Sequence, residues 1–417
     1  MKLLIAIPAL NEEESIADTV SRALDARKEI VASTPVTDVE VTVVSDGSTD
    51  GTVEKARSFG DQIHLIVFPE NRGYGAAIQE AWRQSDAELL SFLDADGTCD
   101  PRFFAPLCNR LFDDHADVVL GCRLHSGSQM PLVRRIGNAI FATIMSLFSL
   151  SRVRDTASGM RVVRRASLSK LLPLPDGLHF TPAMSARALL SEGVRIVEID
   201  MPYSERRGES KLSVAKDGVR FLKVILETAF LYRPSRPLGL LGLAGLAAAV
   251  ALMVQPTVFY LEHRYVWEWM IYRFVVSHLA GVAAALFFSA SYLTDKMVRI
   301  GLHSEKTPSE HRGRAGAFLS SRFFWLVPAG LIIAGGALVA PSFLELVRTG
   351  ATYEHWSRFI AMSFLVSVAT VLIVTRATDY VLDLLANQLA YMQSTNRIPT
   401  SVMSPKESSR SRVVTKA

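Results

Sequence analysis

The sequence predicts an α/β domain built on a doubly wound, mixed sheet, followed by an all-α membrane bundle. Over the first 210 residues, short apolar or β-branched runs alternate with helical patterns, as in a chain of βαβ units. Most long apolar runs lie after residue 236. The run Leu89 to Leu93 then ends in Asp94-Ala95-Asp96, two carboxylates two apart. A buried parallel strand delivers a metal clamp to the carboxyl edge of a sheet in this way, although such a pair alone also fits a surface turn.

The elements follow in order. Residues 2–7 read as a strand and 12–33 as a helix with acids in its first turn, where the helix dipole favours them. Val39–Val44 is a β-branched strand, and Ser45 to Gly51 is a turn opening the next helix. Residues 63–68 form a strand, 73–85 a helix and 88–93 a strand, each strand nearly continuous in apolar residues, as expected when helices cover both faces. Thr181-Pro182 reads as an N-cap followed by proline at the first helical position, with Gly193 ending that helix. Residues 131–150 and 216–232 read as helices with a wide apolar face and basic rims, suited to a membrane interface.

At 417 residues, 49% of them hydrophobic, the chain is too long and too apolar for one ordinary soluble domain. The expected division is a soluble catalytic-type domain at 1–210, an amphipathic interface helix and linker at 211–236, a membrane domain at 237–393 and a disordered cytosolic tail at 394–417. Four apolar segments, about 237–255, 274–293, 323–341 and 359–375, approach the roughly 20 residues that span a bilayer. The connector 296–322 holds six Lys/Arg, whereas 256–271 and 342–357 hold one each, Arg264 and Arg348. By the positive-inside rule the basic connector is cytosolic, and so are both termini and the soluble domain. Arg273, Asp295 and Arg376 lie at span ends, where they can snorkel, and His278 is the one polar feature expected inside. Gly239, Gly242 and Gly245 would permit close helix packing.

Several classes are excluded. A net charge of +4, without interleaved basic and aromatic blocks, gives no nucleic-acid surface. Cys99, Cys108 and Cys122 lack metal-finger spacing and read as small buried or half-buried thiols. Met1–Pro8 is too short in its apolar run for a signal core and reads as the first strand. Gly73-Tyr74-Gly75 carries two of the three glycines of a dinucleotide fingerprint, and after the third strand rather than the first.

Pro8-Ala-Leu-Asn11-Glu12, Val44-Ser-Asp46-Gly47-Ser48-Thr-Asp50, Asn71-Arg72-Gly73-Tyr-Gly75-Ala-Ala and Asp94-Ala-Asp96-Gly, in that order and spacing, resemble family 2 glycosyltransferases of the GT-A fold. Further on, Ala116 to Arg123, Asp155-Thr-Ala-Ser158-Gly159-Met-Arg161 and Tyr203-Ser-Glu-Arg206-Arg-Gly208-Glu-Ser210-Lys211 resemble the branch that makes polyprenyl-phosphate or dolichyl-phosphate glucose and mannose. The likeness covers residues 2 to about 232. It implies a donor site in which Pro8, Asn11 and Glu12 border the nucleoside, Asp46 bonds the base, Gly73 lies nearby, and Asp94 and Asp96 hold Mg²⁺ or Mn²⁺ on the diphosphate. One departure is Thr98, where many mannose synthases carry a Gln; the form here looks closer to the glucose side of the branch.

The same resemblance assigns Arg123, Ser158, Arg206 and Lys211 to the acceptor phosphate, beside Asp96 at the reacting centre. Arg134, Arg135 and Arg161 add cations to this segment, whereas Arg134, Arg161, Arg164 and Arg165 can equally face solvent or headgroups. A phosphate acceptor is already an anion and needs positioning and neutralisation rather than a base. The expected partners are a nucleotide-diphosphate sugar such as UDP-glucose or GDP-mannose, a polyprenyl phosphate and a membrane; a homo-oligomer is allowed. The expected protein is a multi-pass integral membrane transferase with its catalytic domain in the cytosol, as at a bacterial inner membrane. Three alternatives stay open: a hydroxylated lipid or glycolipid acceptor, a processive polysaccharide synthase, and an inactive membrane scaffold.

Overall fold

A computed structural model describes residues 1–125, 130–149, 152–203, 214–302, 314–351 and 355–396. Arg206 and Lys211, and the tail beyond 396, lie outside the described residues. The chain forms two compact units, Met1–Arg236 and Pro237–Ala417.

The first unit holds strands β1 (Lys2–Ala9), β2 (Asp38–Asp46), β3 (His64–Phe68), β4 (Leu89–Phe92), β5 (Val118–Cys122), β6 (Arg161–Arg164) and β7 (Ile196–Asp200). Its helices are α1 (Ile16–Ser33), α2 (Thr52–Arg57), α3 (Tyr74–Gln84), α4 (Phe104–Asp113), α5 (Leu132–Phe148), α6 (Leu168–Leu171), α7 (Phe180–Leu190) and α8 (Val214–Tyr232). The strands form one sheet in the order β3-β2-β1-β4-β6-β5-β7. Only β6 runs antiparallel to its neighbours, β4 and β5; the other pairings are parallel. This is the doubly wound mixed sheet that the sequence predicts.

The strands read as continuous apolar runs because both faces are covered. In β1, Leu3, Ile5 and Ile7 pack with Ile16 and Val20 of α1 and Phe104 and Leu107 of α4. Leu4 and Ala6, pointing the other way, join Ile78 and Trp82 of α3 and Phe180 and Met184 of α7. The parallel register, Pro8 beside Val44 and Ala6 beside Phe92, lines up the carboxyl ends of β2, β1 and β4 along one edge. The loops that follow those strands therefore share one rim.

Two helices start elsewhere than expected. Helix α1 begins at Ile16, not at residue 12, because the acids before it have other partners. Glu13 accepts from the Gly51 amide (3.1 Å) and pairs with Lys55 (3.3 Å), so it ties the first loop to the start of α2. Helix α7 begins at Phe180, with His179 as its N-cap residue, so Thr181 and Pro182 fall inside the first turn. Proline is tolerated there because first-turn N–H groups have no intrahelical partner. Phe180, wholly buried, is pulled into the core and draws the helix start back with it.

The second unit comprises α9 (Ser235–His263), α10 (Ile271–Leu302), α11 (Arg314–Leu319), α12 (Leu326–Thr349) and α13 (Trp356–Asn396). Four helices among the described residues are long and apolar enough to cross a membrane. Gly242 meets the Phe288 ring at 3.0 Å and Gly245 meets the Ala280 carbonyl at 3.1 Å, each distance taken from a Cβ built on the glycine; small residues let α9 approach α10 closely. The charges near the span ends do more than snorkel. Lys296 of α10 pairs with Asp379 and with Asp383 (2.9 Å) of α13, Arg376 pairs with Asp379 (3.0 Å), and the Tyr292 hydroxyl donates to Asp379 (2.7 Å). Asp379 is wholly buried, so this set fixes the crossing of α10 and α13.

Removing one member of a buried ionic set leaves the others uncompensated. Asp379→Ala should cost about 3–5 kcal/mol and lower the thermal unfolding midpoint of the purified chain in detergent. An unchanged midpoint would mean that the cluster does not hold the helices.

Candidate active site

The shared rim opens into a cavity of about 470 Å³. Pro8, Glu12, Asp46, Asn71, Gly73, Tyr74, Asp94 and Asp96 line one side; Arg123, Arg134, Gly159, Tyr203 and Arg220 line the other. Its size suits a small-molecule ligand.

Each acidic residue is held by a specific donor. Asp46 ends β2, is 3% exposed, and accepts from the backbone N–H of Arg72 (2.7 Å) and of Gly73 (2.9 Å), one per oxygen. Gly73 has φ +109°, and a Cβ there would lie 2.4 Å from the Asp176 carbonyl oxygen. That carbonyl accepts from the Gly75 (2.6 Å) and Ala76 (3.1 Å) amides, and so caps the start of α3. The glycine pair thus admits the Pro175–Asp176 backbone to a helix N-terminus, a position that a dinucleotide fold would give to a phosphate.

Asp94 and Asp96 leave the end of β4 on opposite sides of Ala95. The Asp96 Oδ1 atom accepts from the Thr98 hydroxyl (2.7 Å) and the Thr98 amide (3.2 Å). Thr98 therefore braces Asp96. Asp94 Oδ1 accepts from the Tyr74 hydroxyl at 2.6 Å. Burial, then the neighbouring Asp94 charge, push the Tyr74 phenol well above its usual range, so it stays protonated and donates. Against the other Asp94 oxygen lies Gly159: a Cβ there would sit 1.9 Å from Oδ2. Tyr74 is the site residue that sequence reasoning missed. Its place between two glycines at the start of α3, shortly after the end of β3, was the one local mark it left.

The cationic side is built differently. Arg123 follows β5 and forms a two-point pair with wholly buried Asp155: Nε to Oδ2 at 2.7 Å and Nη2 to Oδ1 at 2.9 Å. Burial alone would raise the Asp155 carboxyl, but the Arg123 guanidinium outweighs it and holds the group below its ordinary value. Ser158 does not reach the cavity. It is wholly buried, and its hydroxyl donates to the Gly121 carbonyl at 2.6 Å, fastening the β5 end to the turn before β6. Arg161 is also wholly buried: Nη2 donates to the Ser158 carbonyl (2.8 Å), and Nη1 to the Thr181 carbonyl (3.3 Å) and the Ser185 hydroxyl (3.2 Å). Burial lowers its pKa to about 10. It supports the Ser158–Gly159 turn from behind rather than offering its charge to a ligand. Arg164 and Arg165 likewise bond backbone carbonyls, those of Leu111 and Ala116 and of Trp82, Ser85 and Ala87. Both are half-buried, with the guanidinium hydrogens turned to those carbonyls rather than simply to solvent or headgroups, because helix ends leave carbonyls that need donors.

Of the expected donor residues, Pro8, Glu12, Asp46, Gly73, Asp94 and Asp96 border the cavity. Asn11 does not; its side-chain oxygen accepts from the Thr49 amide at 2.8 Å and braces the β2–α2 turn. Burial pushes the thiols of Cys99 and Cys108 up to about 12 and that of Cys122 up to about 11, which keeps all three unreactive.

The family model described as glycosyl transferase family 2 matches residues 4–172. A dolichyl-phosphate hexose transferase of Haloferax volcanii is 32% identical over 54% of this chain and 92% of its own length. A dolichyl-phosphate beta-glucosyltransferase of Saccharomyces cerevisiae is 27% identical over 55% and 75%. Among solved structures, glucosyl-3-phosphoglycerate synthase from Mycobacterium tuberculosis, in complex with Mn²⁺, UDP and glucosyl-3-phosphoglycerate, is 20% identical, covers 55% of this chain and 80% of that one, and superposes with a TM-score of 0.44.

The crowding at Asp94 can be tested without any ligand. Gly159→Ala sets a methyl against the Asp94 carboxylate and should destabilise the first unit by about 1–3 kcal/mol. Tyr74→Phe removes one hydrogen bond to a charged group and should cost about 1.5–3 kcal/mol. Thermal unfolding of both variants should show each loss, and a double variant that loses less than the sum, since both act on one carboxylate. Strict additivity would separate the two contacts.

Proposed function

The chain belongs to glycosyl transferase family 2, and on that footing we propose that it moves a single hexose, with inversion, from a nucleotide-diphosphate sugar to a polyprenyl phosphate at the cytosolic face of a membrane. The observation that carries this reading is the rim of the cavity. Carboxylates from the parallel strands stand on one side and Arg123, Arg134 and Arg220 on the other. Arg134 belongs to α5 and Arg220 to α8, and both helices expose apolar side chains: Leu132, Val133, Ile136 and Ile140 on the first, Val219, Phe230 and Leu231 on the second. A phosphate carried on a lipid tail fits cations set among such faces. The names of the Haloferax and yeast relatives support the same acceptor class.

On the donor side, Asp46 presents oxygens that only accept, which suits an N–H of a nucleotide base. Asp94 and Asp96 would hold Mg²⁺ or Mn²⁺. Their hard oxygens suit either ion, and no group of three His, Cys, Asp or Glu stands together among the described residues. A cation held by two carboxylates and otherwise by diphosphate oxygens and water matches this set. When bound, it supplies neutralisation of the charge that gathers on the departing nucleoside diphosphate. Tyr74 and Thr98 fix the two carboxylates before the donor arrives.

The acceptor needs no general base, since a phosphate monoester is ionised at neutral pH. Arg123 would receive it as a planar donor and Arg134 as a nearby charge. Arg206 and Lys211, outside the described residues, belong to the same acceptor set by their motif. The basic connector between α10 and α12 supports the cytosolic orientation. The donor is UDP-glucose or GDP-mannose.

The test is a transfer assay with the purified full chain in lipid, radiolabelled UDP-glucose, GDP-mannose or UDP-N-acetylglucosamine, and undecaprenyl phosphate. One donor should give a lipid product labile to mild acid. EDTA should abolish it. Asp96→Asn should slow it by about a hundredfold or more, on the scale of several kcal/mol of transition-state stabilisation. A product stable to mild acid would instead favour a hydroxylated lipid acceptor, and full activity in EDTA would remove the metal.

A further inference from the structure

We infer that Asp155 and Asn138 are positioning residues for the acceptor phosphate: Asp155 holds the Arg123 guanidinium by one edge, and Asn138 makes that hold depend on where α5 sits. This rests on the proposed role of Arg123 and goes beyond it by adding a link from the apolar helix to the site.

The hydrogen bonds give the argument. Asp155 is wholly buried and takes four donors. Its Oδ2 accepts from the Arg123 backbone N–H (3.0 Å) and from Nε (2.7 Å); its Oδ1 accepts from Nη2 (2.9 Å) and from Asn138 Nδ2 (3.1 Å). The second Nη2 hydrogen goes to the Ala157 carbonyl at 2.7 Å. A guanidinium has five N–H groups in one plane, and three are used on the protein side. The two on Nη1 have no partner among the described residues. Nη1 is also absent from the buried polar atoms that lack a partner, so it is the nitrogen that keeps access to solvent. Arg123 lines the cavity. The carboxylate thus grips one edge and leaves the far corner of the fork for an anion.

Asn138 is the unexpected member. On α5 the buried residues are Asn138, Met145 and Phe148, while the opposite face is apolar and exposed. The inward position one turn from Arg134 thus carries an amide where an aliphatic side chain would be ordinary, and the amide finds Asp155. A hydrogen bond of 3.1 Å does not survive a shift of an ångström or so along the helix axis. If α5 is unseated, Asp155 loses one of its four donors and Arg123 its fixed plane. If α5 is seated, as its apolar face on a lipid surface would hold it, Nη1 is presented in one orientation.

The test is steady-state kinetics of the full chain reconstituted in lipid, varying undecaprenyl phosphate and donor in turn. Asn138→Ala should raise the KM for the lipid phosphate about tenfold, the size of a lost hydrogen bond to a charged group. The donor KM and the affinity for the free nucleoside diphosphate should not move; a comparable shift in either would mean general loosening of the domain and would overturn the link. Arg123→Lys should raise the acceptor KM on its own, and Asn138→Ala added to it should cost little more, because lysine has no fork for Asp155 to orient. Additive losses, or an acceptor KM unaffected by Asn138→Ala while Arg123→Lys impairs it, would overturn the link alone. An acceptor KM unaffected by Arg123→Lys would instead remove Arg123 from the phosphate, and with it the reading on which the link rests. Asp155→Asn, which keeps shape and drops the charge, should reproduce the acceptor defect; where it fails to fold, the Asn138 and Arg123 variants decide the matter.

Discussion

A charge removed from water must be answered by opposite charge or by oriented dipoles, and the carboxyl edge of this sheet is arranged around that requirement. Asp46, Asp96 and Asp155 are 3%, 8% and 0% exposed, and Arg161 is 0% exposed. Each has a different answer. Two backbone amides hold Asp46, an adjacent threonine braces Asp96, a guanidinium pairs with Asp155, and carbonyls and a hydroxyl accept from the two Nη atoms of Arg161, whose Nε has no partner among the described residues. The answers interlock. Arg161 supports the turn whose Gly159 backs Asp94, and Asp155 sits in the same segment and orients Arg123. Moving any one of these groups would strip a buried charge of a partner, so the network favours the arrangement of the cavity walls seen here.

The mixed topology divides the labour. The parallel strands β2, β1 and β4 end side by side and bring Asp46, Glu12, Asp94 and Asp96 to one rim. Strand β6 runs the other way between β4 and β5, so the segment entering it, Asp155 to Met160, crosses the same edge from outside. That reversal sets Gly159 against Asp94 and lets Arg123, at the end of β5, share a pocket with the acids. Under the proposed reaction both substrates are anionic. An all-acidic rim would repel them, whereas a rim divided by topology gives the metal-bound diphosphate one side and the acceptor phosphate the other.

Much of this was legible in the sequence because strand ends and charges leave local marks. The continuous apolar run of β1, the Asp-Ala-Asp at the close of β4 and the alternation of strands and helices all read directly from pattern. What could not be read were partners distant in sequence. Arg161 sits in a charged motif, and only tertiary packing over Phe92 and behind Ser158 turns it inward. Glu13 looks like a first-turn helix acid, yet the neighbouring β2–α2 turn claims it. Asp379 gave no sign of its pairing with Lys296, since 83 residues separate them. Local propensity fixes which elements form; which buried donor meets which acceptor is decided by packing.

The same reasoning bears on the choice of acceptor. Exposed leucine, isoleucine and valine on α5 and α8 are costly in water, and a single such residue would mean little. Here two packed helices, joined by the edge-to-face contact of Phe141 and Phe221 at 5.8 Å, expose apolar faces in the unit that holds the candidate cavity. Both also contribute a cation to that cavity, Arg134 and Arg220. A soluble phosphate would use the cations and have no need of the apolar faces; a lipid without a charged head would use the faces alone. A molecule with a phosphate at the end of a hydrocarbon chain uses both.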